Sequence, residues 1–149
     1  MLIIIGSDHG GYELKNTIKF YLNEKYPKTT LEDIGTFSKN SIDYPGVAQA
    51  VATRVLEKKD SFGIAICRSG IGMSIAANRF LGIRCALCHD IKSAELSRKH
   101  NNANMISLGS DTSGDNKLLI VDKFINTGFE GGRHTKRIEQ LDNIKREYL

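Results

Sequence analysis

Five short apolar runs, each followed by a stretch with helical spacing, limit this chain to few folds. The first run, Leu2–Ile5, ends in Gly6, and Glu13–Lys25 then sets Leu14, Ile18, Tyr21 and Leu22 on one helical stripe. Thr29–Ile34 reads as a second strand closing at Gly35. From Pro45, which suits a first helical turn, Val47, Ala48, Val51, Ala52 and Val55 share a face. Phe62–Cys67 is a third strand, and Gly70–Gly72 leads into a short helix through Asn78. Ile83–Cys88 is a fourth, with Asp90 placed to cap a helix from Ile91 to about His100. Met105–Leu108 is the fifth and ends at Gly109. A helix over Asn116–Asn126 follows, Gly131–Gly132 breaks the pattern, and a last helix starts near Arg133. Strands alternating with helices predict an α/β fold whose parallel sheet is covered on both faces. Ligands of such sheets bind at the carboxyl ends of the strands. That directs attention to Ser7–Gly11, Gly35–Pro45, Cys67–Ser74, Cys88–Asp90 and Gly109–Gly114.

The 149 residues suit one domain, with no internal repeat or interdomain linker. No apolar run is long enough for a bilayer and no export signal is read, so a cytoplasmic protein is expected. Three cysteines, an odd number, fit a reducing compartment. Cys85 and Cys88 form a C-x-x-C, but both fall in an expected strand, where that spacing sends them to opposite faces. They are read as packing residues, and no second Cys or His pair completes a zinc site. The net charge of +4 permits nucleic-acid binding. No long Lys/Arg block and no Trp support it, so a mildly basic solvated surface, compatible with an anionic small molecule, is the better reading.

The segment richest in chemistry is Cys67-Arg68-Ser69-Gly70-Ile71-Gly72-Met73-Ser74. Backbone N–H groups at a helix start favour an anion, and glycines let that backbone approach a ligand. A thiol there gains thiolate character from the helix dipole and from Arg68. One segment thus offers a base, an anion hole and a hydroxyl, Ser69, able to donate a proton. It is not a dinucleotide fingerprint, because Ile75 stands where a small residue is required, and no Gly-Lys-Ser/Thr triplet makes a Walker loop. A cysteine-phosphatase loop would place Arg where Met73 stands. The structural alternative, a small buried thiol that only packs, stays open on the residues alone.

Three further groups have equally open readings. Asp8 and His9 in Ser7-Asp8-His9-Gly10-Gly11 suit a polyol and a phosphate, or Asp8 or Ser7 merely caps a helix. His100, in His100-Asn101-Asn102, is an acid/base at neutral pH or a charge complement to a helix end. Arg133 and Arg137 share a helix face and suit a phosphate, or form a solvated basic face.

Together, and in this order, the segments resemble the ribose-5-phosphate isomerase B and galactose-6-phosphate isomerase family. The likeness rests on Gly6-Ser7-Asp8-His9-Gly10-Gly11, Asp43-Tyr44-Pro45, and Cys67 with Ser69-Gly70-Ile71-Gly72-Met73-Ser74-Ile75-Ala76-Ala77-Asn78. It continues through Gly82-Ile83-Arg84, Cys88-His89-Asp90, His100-Asn101 and Phe129-Glu130-Gly131-Gly132-Arg133-His134. The resemblance implies a Rossmann-like three-layer α/β/α sandwich forming a single sugar-phosphate isomerase domain over residues 1–149. It implies a homodimer or dimer of dimers with shared active sites, a sugar-phosphate substrate, no metal and no organic cofactor. It makes Cys67 the base, His100 the ring-opening residue and Ser69 a proton-carrying hydroxyl. Asp8, Tyr44 and Asn101 become sugar contacts, and His9, Arg133 and Arg137 phosphate contacts. Gly70, Ile71, Gly72 and Ser74 complete the binding loop, and the last helix serves phosphate binding and dimer contacts. The implied reaction interconverts ribose 5-phosphate and ribulose 5-phosphate through a cis-enediolate.

Two residues depart from the family pattern. Arg68 follows the cysteine where many members have Gly, and Asp111 stands where many have a phosphate-binding Arg. Arg68 is expected either to replace the missing cation in part or to pair with Asp111. The competing readings are the same chemistry on a six-carbon sugar phosphate, a non-catalytic sugar-phosphate or nucleotide binder, and a nucleic-acid binder.

Overall fold

The computed structural model describes residues 1–144; residues 145–149 of the expected domain lie outside the described part. The five strands are β1 (Leu2–Ser7), β2 (Thr30–Asp33), β3 (Ser61–Cys67), β4 (Cys85–Leu87) and β5 (Met105–Gly109). They form one sheet in the order β2-β1-β3-β5-β4, and every pairing is parallel. The helices are α1 (Tyr12–Lys25), α2 (Tyr44–Glu57), α3 (Ile71–Ala77), α4 (Ile91–Asn101), α5 (Lys117–Asn126) and α6 (Arg133–Asp142). Two buried clusters show how they divide. Ile3, Ile5, Ile64, Ile66, Ile106 and Leu108 point to the layer of α1, α4 and α5, where Ile18, Ala94 and Phe124 meet them. Ile4, Ala65 and Met105 point the other way, to Val47, Val51 and Val55 of α2 and Met73 of α3. The period-two alternation along each strand makes the sandwich three-layered, as expected. α6 stands apart and packs on α4.

Cys85 and Cys88 divide between the two clusters, so they do lie on opposite sides of the sheet. Burial pushes both thiols up, that of Cys85 to about 12, which fits packing residues. The fourth strand is shorter than its expected span of Ile83–Cys88. Ile83 N–H turns back to Phe80 O at 3.0 Å, and Arg84 reaches sideways to the carbonyls of Asn101 and Asn102 and to Asp142. On the free edge of β4, the Asn78 side chain meets Cys85 twice. Its Oδ1 accepts from Cys85 N–H at 2.9 Å and its Nδ2 donates to Cys85 O at 2.8 Å.

Lys15 is fully buried and donates to Asp33 Oδ1 at 2.7 Å and to Thr36 O at 2.5 Å. Asp33 also accepts from Lys19 and from Gly35 N–H. Burial alone would push the Asp33 carboxyl up; the bonds from Lys15 and Lys19 outweigh it and hold the carboxyl below the usual range. The link pins the start of the loop that leads to Tyr44. Lys15→Met keeps the stem but leaves Thr36 O and part of Asp33 unpaired, and should cost about 3 kcal/mol in chemical denaturation. The lowered Asp33 stabilises the fold above its unfolded value, and that contribution fades as pH falls through the folded value. The variant should therefore also lose part of the acid-side slope of stability. A loss within ~0.5 kcal/mol, an ordinary surface change, would refute the anchoring role.

Candidate active site

Cys67 ends β3 and is 5% exposed. The chain then turns at Gly70, whose φ of 77° is left-handed, and enters α3. Gly70 N–H donates to Cys67 Sγ at 3.1 Å, and Ile71 N–H donates to Ser69 Oγ at 3.2 Å. Two of the amides expected to face an anion are thus closed within the loop. Those of Ser69 and Gly72 have no partner among the described residues. The loop is braced from below: Ser107 Oγ donates to Gly70 O at 2.5 Å, and Ser110 N–H donates to Cys67 O at 2.9 Å. Ser74 sits in the first turns of α3, but its hydroxyl donates to Cys85 O at 3.4 Å, toward β4.

The other strand ends crowd against this loop. A methyl on Gly72 would lie 2.7 Å from the Tyr44 ring, so Tyr44 rests on the loop backbone. Asp8 follows β1 and is 8% exposed; its amide donates to Ile66 O, one residue before Cys67. Its Oδ1 accepts from Gly11 N–H at 3.0 Å and so closes a turn. α1 itself begins after Gly11, without a side-chain cap, so neither Ser7 nor Asp8 is its N-cap. His9 Nδ1 accepts from Ile42 N–H at 3.3 Å, tying the first loop to the segment before Tyr44. The stem of Arg68 covers Gly10, and its Nη1 meets Asp111 Oδ2 at 2.9 Å. Of the two expectations for Arg68, pairing with Asp111 is what the structure shows. The bond from Arg68, with a second from Ser110, holds the Asp111 carboxyl low. Both side chains are more than half exposed, so the pair orders the rim and contributes little to stability.

His100, Asn101, Arg133 and Arg137 form a second group elsewhere. β5 begins at Met105, just after α4, and pairs there with Gly63, whereas Cys67 pairs with Gly109 at the far end of β5. Four strand residues at ~3.3 Å each separate the two levels by roughly 13 Å. His100, in the last turn of α4, therefore lies at the opposite edge of the sheet from Cys67. Arg133 and Arg137 are exposed on α6 beside it, with no ion pair among the described residues. One chain brings Cys67, Ser69, Gly70, Ile71, Gly72, Tyr44, Asp8 and His9 together, and holds the other four apart from them.

Two residues without a role in the sequence reading belong to this second group. The His134 ring stacks on His100, with centroids 4.3 Å apart and planes at 12°. Glu130 Oε2 lies 3.9 Å from His100 Nε2 and 3.8 Å from His134 Nε2. The four-residue spacing of Glu130 and His134 hinted at a shared face, but the stack depends on how α6 meets α4. Among the described residues these three side chains form the one His/Cys/Asp/Glu cluster with metal-like spacing, all ligand atoms lying within 4.8 Å. The nearly parallel rings argue against such a use. Imidazole lone pairs lie in the ring plane, so two stacked rings cannot both aim at one ion without one of them rotating.

Comparison with known proteins matches this architecture. A family model described as Ribose/Galactose Isomerase covers residues 3–141. Ribose-5-phosphate isomerase B of Escherichia coli is 41% identical over 144 residues, 96% of this chain and 95% of that protein. The solved ribose-5-phosphate isomerase B of Clostridium thermocellum superposes with a TM-score of 0.93 at 42% identity, over 100% of both chains. That of Mycoplasma genitalium, with bound ribulose-5-phosphate, gives 0.90 at 38% identity over 98% of this chain and 97% of that one.

Proposed function

The chain belongs to the ribose/galactose isomerase family, and from that premise we propose that it interconverts D-ribose 5-phosphate and D-ribulose 5-phosphate. The observation that carries the reading is Cys67 Sγ at a strand end, receiving the Gly70 amide, with Ser69 and two open amides around it. In this mechanism the furanose first opens, with His100 moving a proton between O1 and the ring oxygen. The Cys67 thiolate then takes the C2 proton; the C2–H electron pair forms the C1=C2 bond and the carbonyl pair moves onto O1, giving a cis-enediolate. The amides of Ser69 and Gly72 face that charge, a contribution of ~3 kcal/mol per donor. Ser69 passes a proton between O2 and O1, and Cys67 returns its proton to C1. Asp8, Tyr44 and Asn101 hold the sugar hydroxyls, and His9, Arg133 and Arg137 hold the phosphate. No redox or metal step is needed.

The proposal requires two copies of the chain, because Cys67 and His100 occupy opposite edges of one sheet. A homodimer, alone or paired into a tetramer, would complete each site with His100, Asn101, Arg133 and Arg137 of the second copy. The three free, buried thiols suit a cytoplasmic setting. No described helix is long and apolar enough to cross a membrane.

The family description also names galactose, so the six-carbon reading keeps a specific motive. Steady-state rates on ribose 5-phosphate and on allose and galactose 6-phosphates separate the two. The pentose should lead in kcat/KM by at least ~10-fold, a gap of about 1.4 kcal/mol. A preference of that size for a hexose would replace the substrate assignment.

A further inference from the structure

We infer that Glu130 is a positioning residue for His100: its carboxylate, set beside the Nε2 atoms of two stacked imidazoles, steadies the proton that His100 moves while buried His134 acts as a platform. The inference rests on the ring-opening role proposed for His100.

Two features of the stack make its halves unequal. His100 is about one-third exposed, whereas His134 is 5% exposed, and its Nε2 has no hydrogen-bond partner among the described residues. Burial, then the charges of His100, Arg133 and Arg137, hold the His134 imidazole below its ordinary range. Two stacked rings at 4.3 Å cannot carry two positive charges cheaply, and burial disfavours a charge on His134.

Glu130 lies almost equally close to both rings and favours a charge on either, so the burial of His134 is what leaves His100 as its partner. The Glu130 amide donates to Lys99 O at 3.1 Å, which fixes it beside the last turn of α4. Gly131 and Gly132 have φ of 66° and 54°, and this left-handed turn brings His134 back onto the same spot. The carboxylate is 3.9 Å from His100 Nε2, within ion-pair reach and beyond a hydrogen bond. A proton gained by His100 during ring opening would draw the two groups together. The other charged groups around the stack are Lys99, whose Nζ lies 2.9 Å from Glu95 and 3.8 Å from Glu130, and Arg133 and Arg137 of α6. Arg84 is already paired with Asp142. Glu130 is thus the only carboxylate among the described residues that faces both rings.

The substrate supplies a clean test. Ribose 5-phosphate closes a furanose through its free O4. Ribulose 5-phosphate cannot close one, because the oxygen required is phosphorylated. Turnover of ribose 5-phosphate therefore needs ring opening, whereas exchange of the ribulose 5-phosphate C1 proton with deuterated solvent does not. Glu130→Gln should lower kcat on ribose 5-phosphate about 10- to 100-fold, the scale of one acid–base contribution, with KM changed less than about 3-fold. C1 exchange should stay within about 3-fold of wild type, and Glu130→Asp should recover part of the lost turnover. His100→Asn should show the same split. Across an NMR pH titration of the ligand-free enzyme, the ring-nitrogen signals of His100 should turn neutral at lower pH in Glu130→Gln than in wild type, and at an unchanged pH in Glu95→Gln. Equal losses in both reactions, or an unmoved His100 titration, would overturn the inference. Should wild type fail to turn over ribose 5-phosphate, the proposed function falls, and the NMR comparison alone still decides whether Glu130 governs His100.

Discussion

Cys67→Ala is expected to abolish isomerisation, lowering kcat by about 10³-fold or more, while a sugar phosphate still binds within a factor of ~3. Only the Sγ atom is lost. The Gly70 amide that pointed at it is freed, and the braces from Ser107 and Ser110 engage the backbone and remain. The buried volume removed is small and borders Met73 in a packed cluster, so folding should be little affected. Both directions should fail together, including C1 exchange of the ketose, because both need the proton at carbon moved. This pattern separates Cys67 from His100 and Glu130, whose losses should appear with the cyclic sugar alone. Binding can be followed calorimetrically with the inactive variant. Turnover within ten-fold of wild type would remove Cys67 from the mechanism.

The second large effect is a recovery. Cys67→Ala and His100→Asn should each be nearly inactive on ribose 5-phosphate, yet an equal mixture, after subunit exchange, should regain activity. A mixed dimer has one site with both lesions and one with neither. Random exchange makes half the dimers mixed, so about a quarter of the wild-type rate is expected. Cys67 lies at the carboxyl end of the sheet and His100 at its amino end, so a shared site draws one residue from each copy. No recovery, with exchange verified by mass spectrometry, would mean that each site draws both residues from one chain. The separation would then have to close by a rearrangement within the protomer.

Most of the fold was legible because its signals are local. Strand alternation assigned Ile3 and Ile5 to one layer and Ile4 to the other without knowledge of the partners. The thiol loop was legible for the same reason: strand, glycines and helix start are contiguous, and Cys67, Ser69 and Gly70 meet through neighbouring bonds. What failed was less local. β4 lost its first residues to a turn at Phe80 and to the sideways reach of Arg84, which no propensity encodes. The rule that sites gather at strand carboxyl ends found Asp8, Tyr44 and Cys67 but not His100, because α4 carries its last turn back to the other edge. Glu130 and His134 belong to the contiguous stretch Phe129–His134. Their meeting with His100 depends on how α6 settles on α4, a tertiary fact with no local trace.

A parallel sheet with an exposed outer strand is a template on which a stray peptide can polymerise. At β4 that template is only three residues long, and the Asn78 amide occupies the outward N–H and C=O of Cys85 as a neighbouring strand would. One side chain thus serves as a stopper against runaway ladder growth. Copies of this chain that meet along that flank would have to recognise each other by shape and side-chain chemistry rather than by a shared ladder.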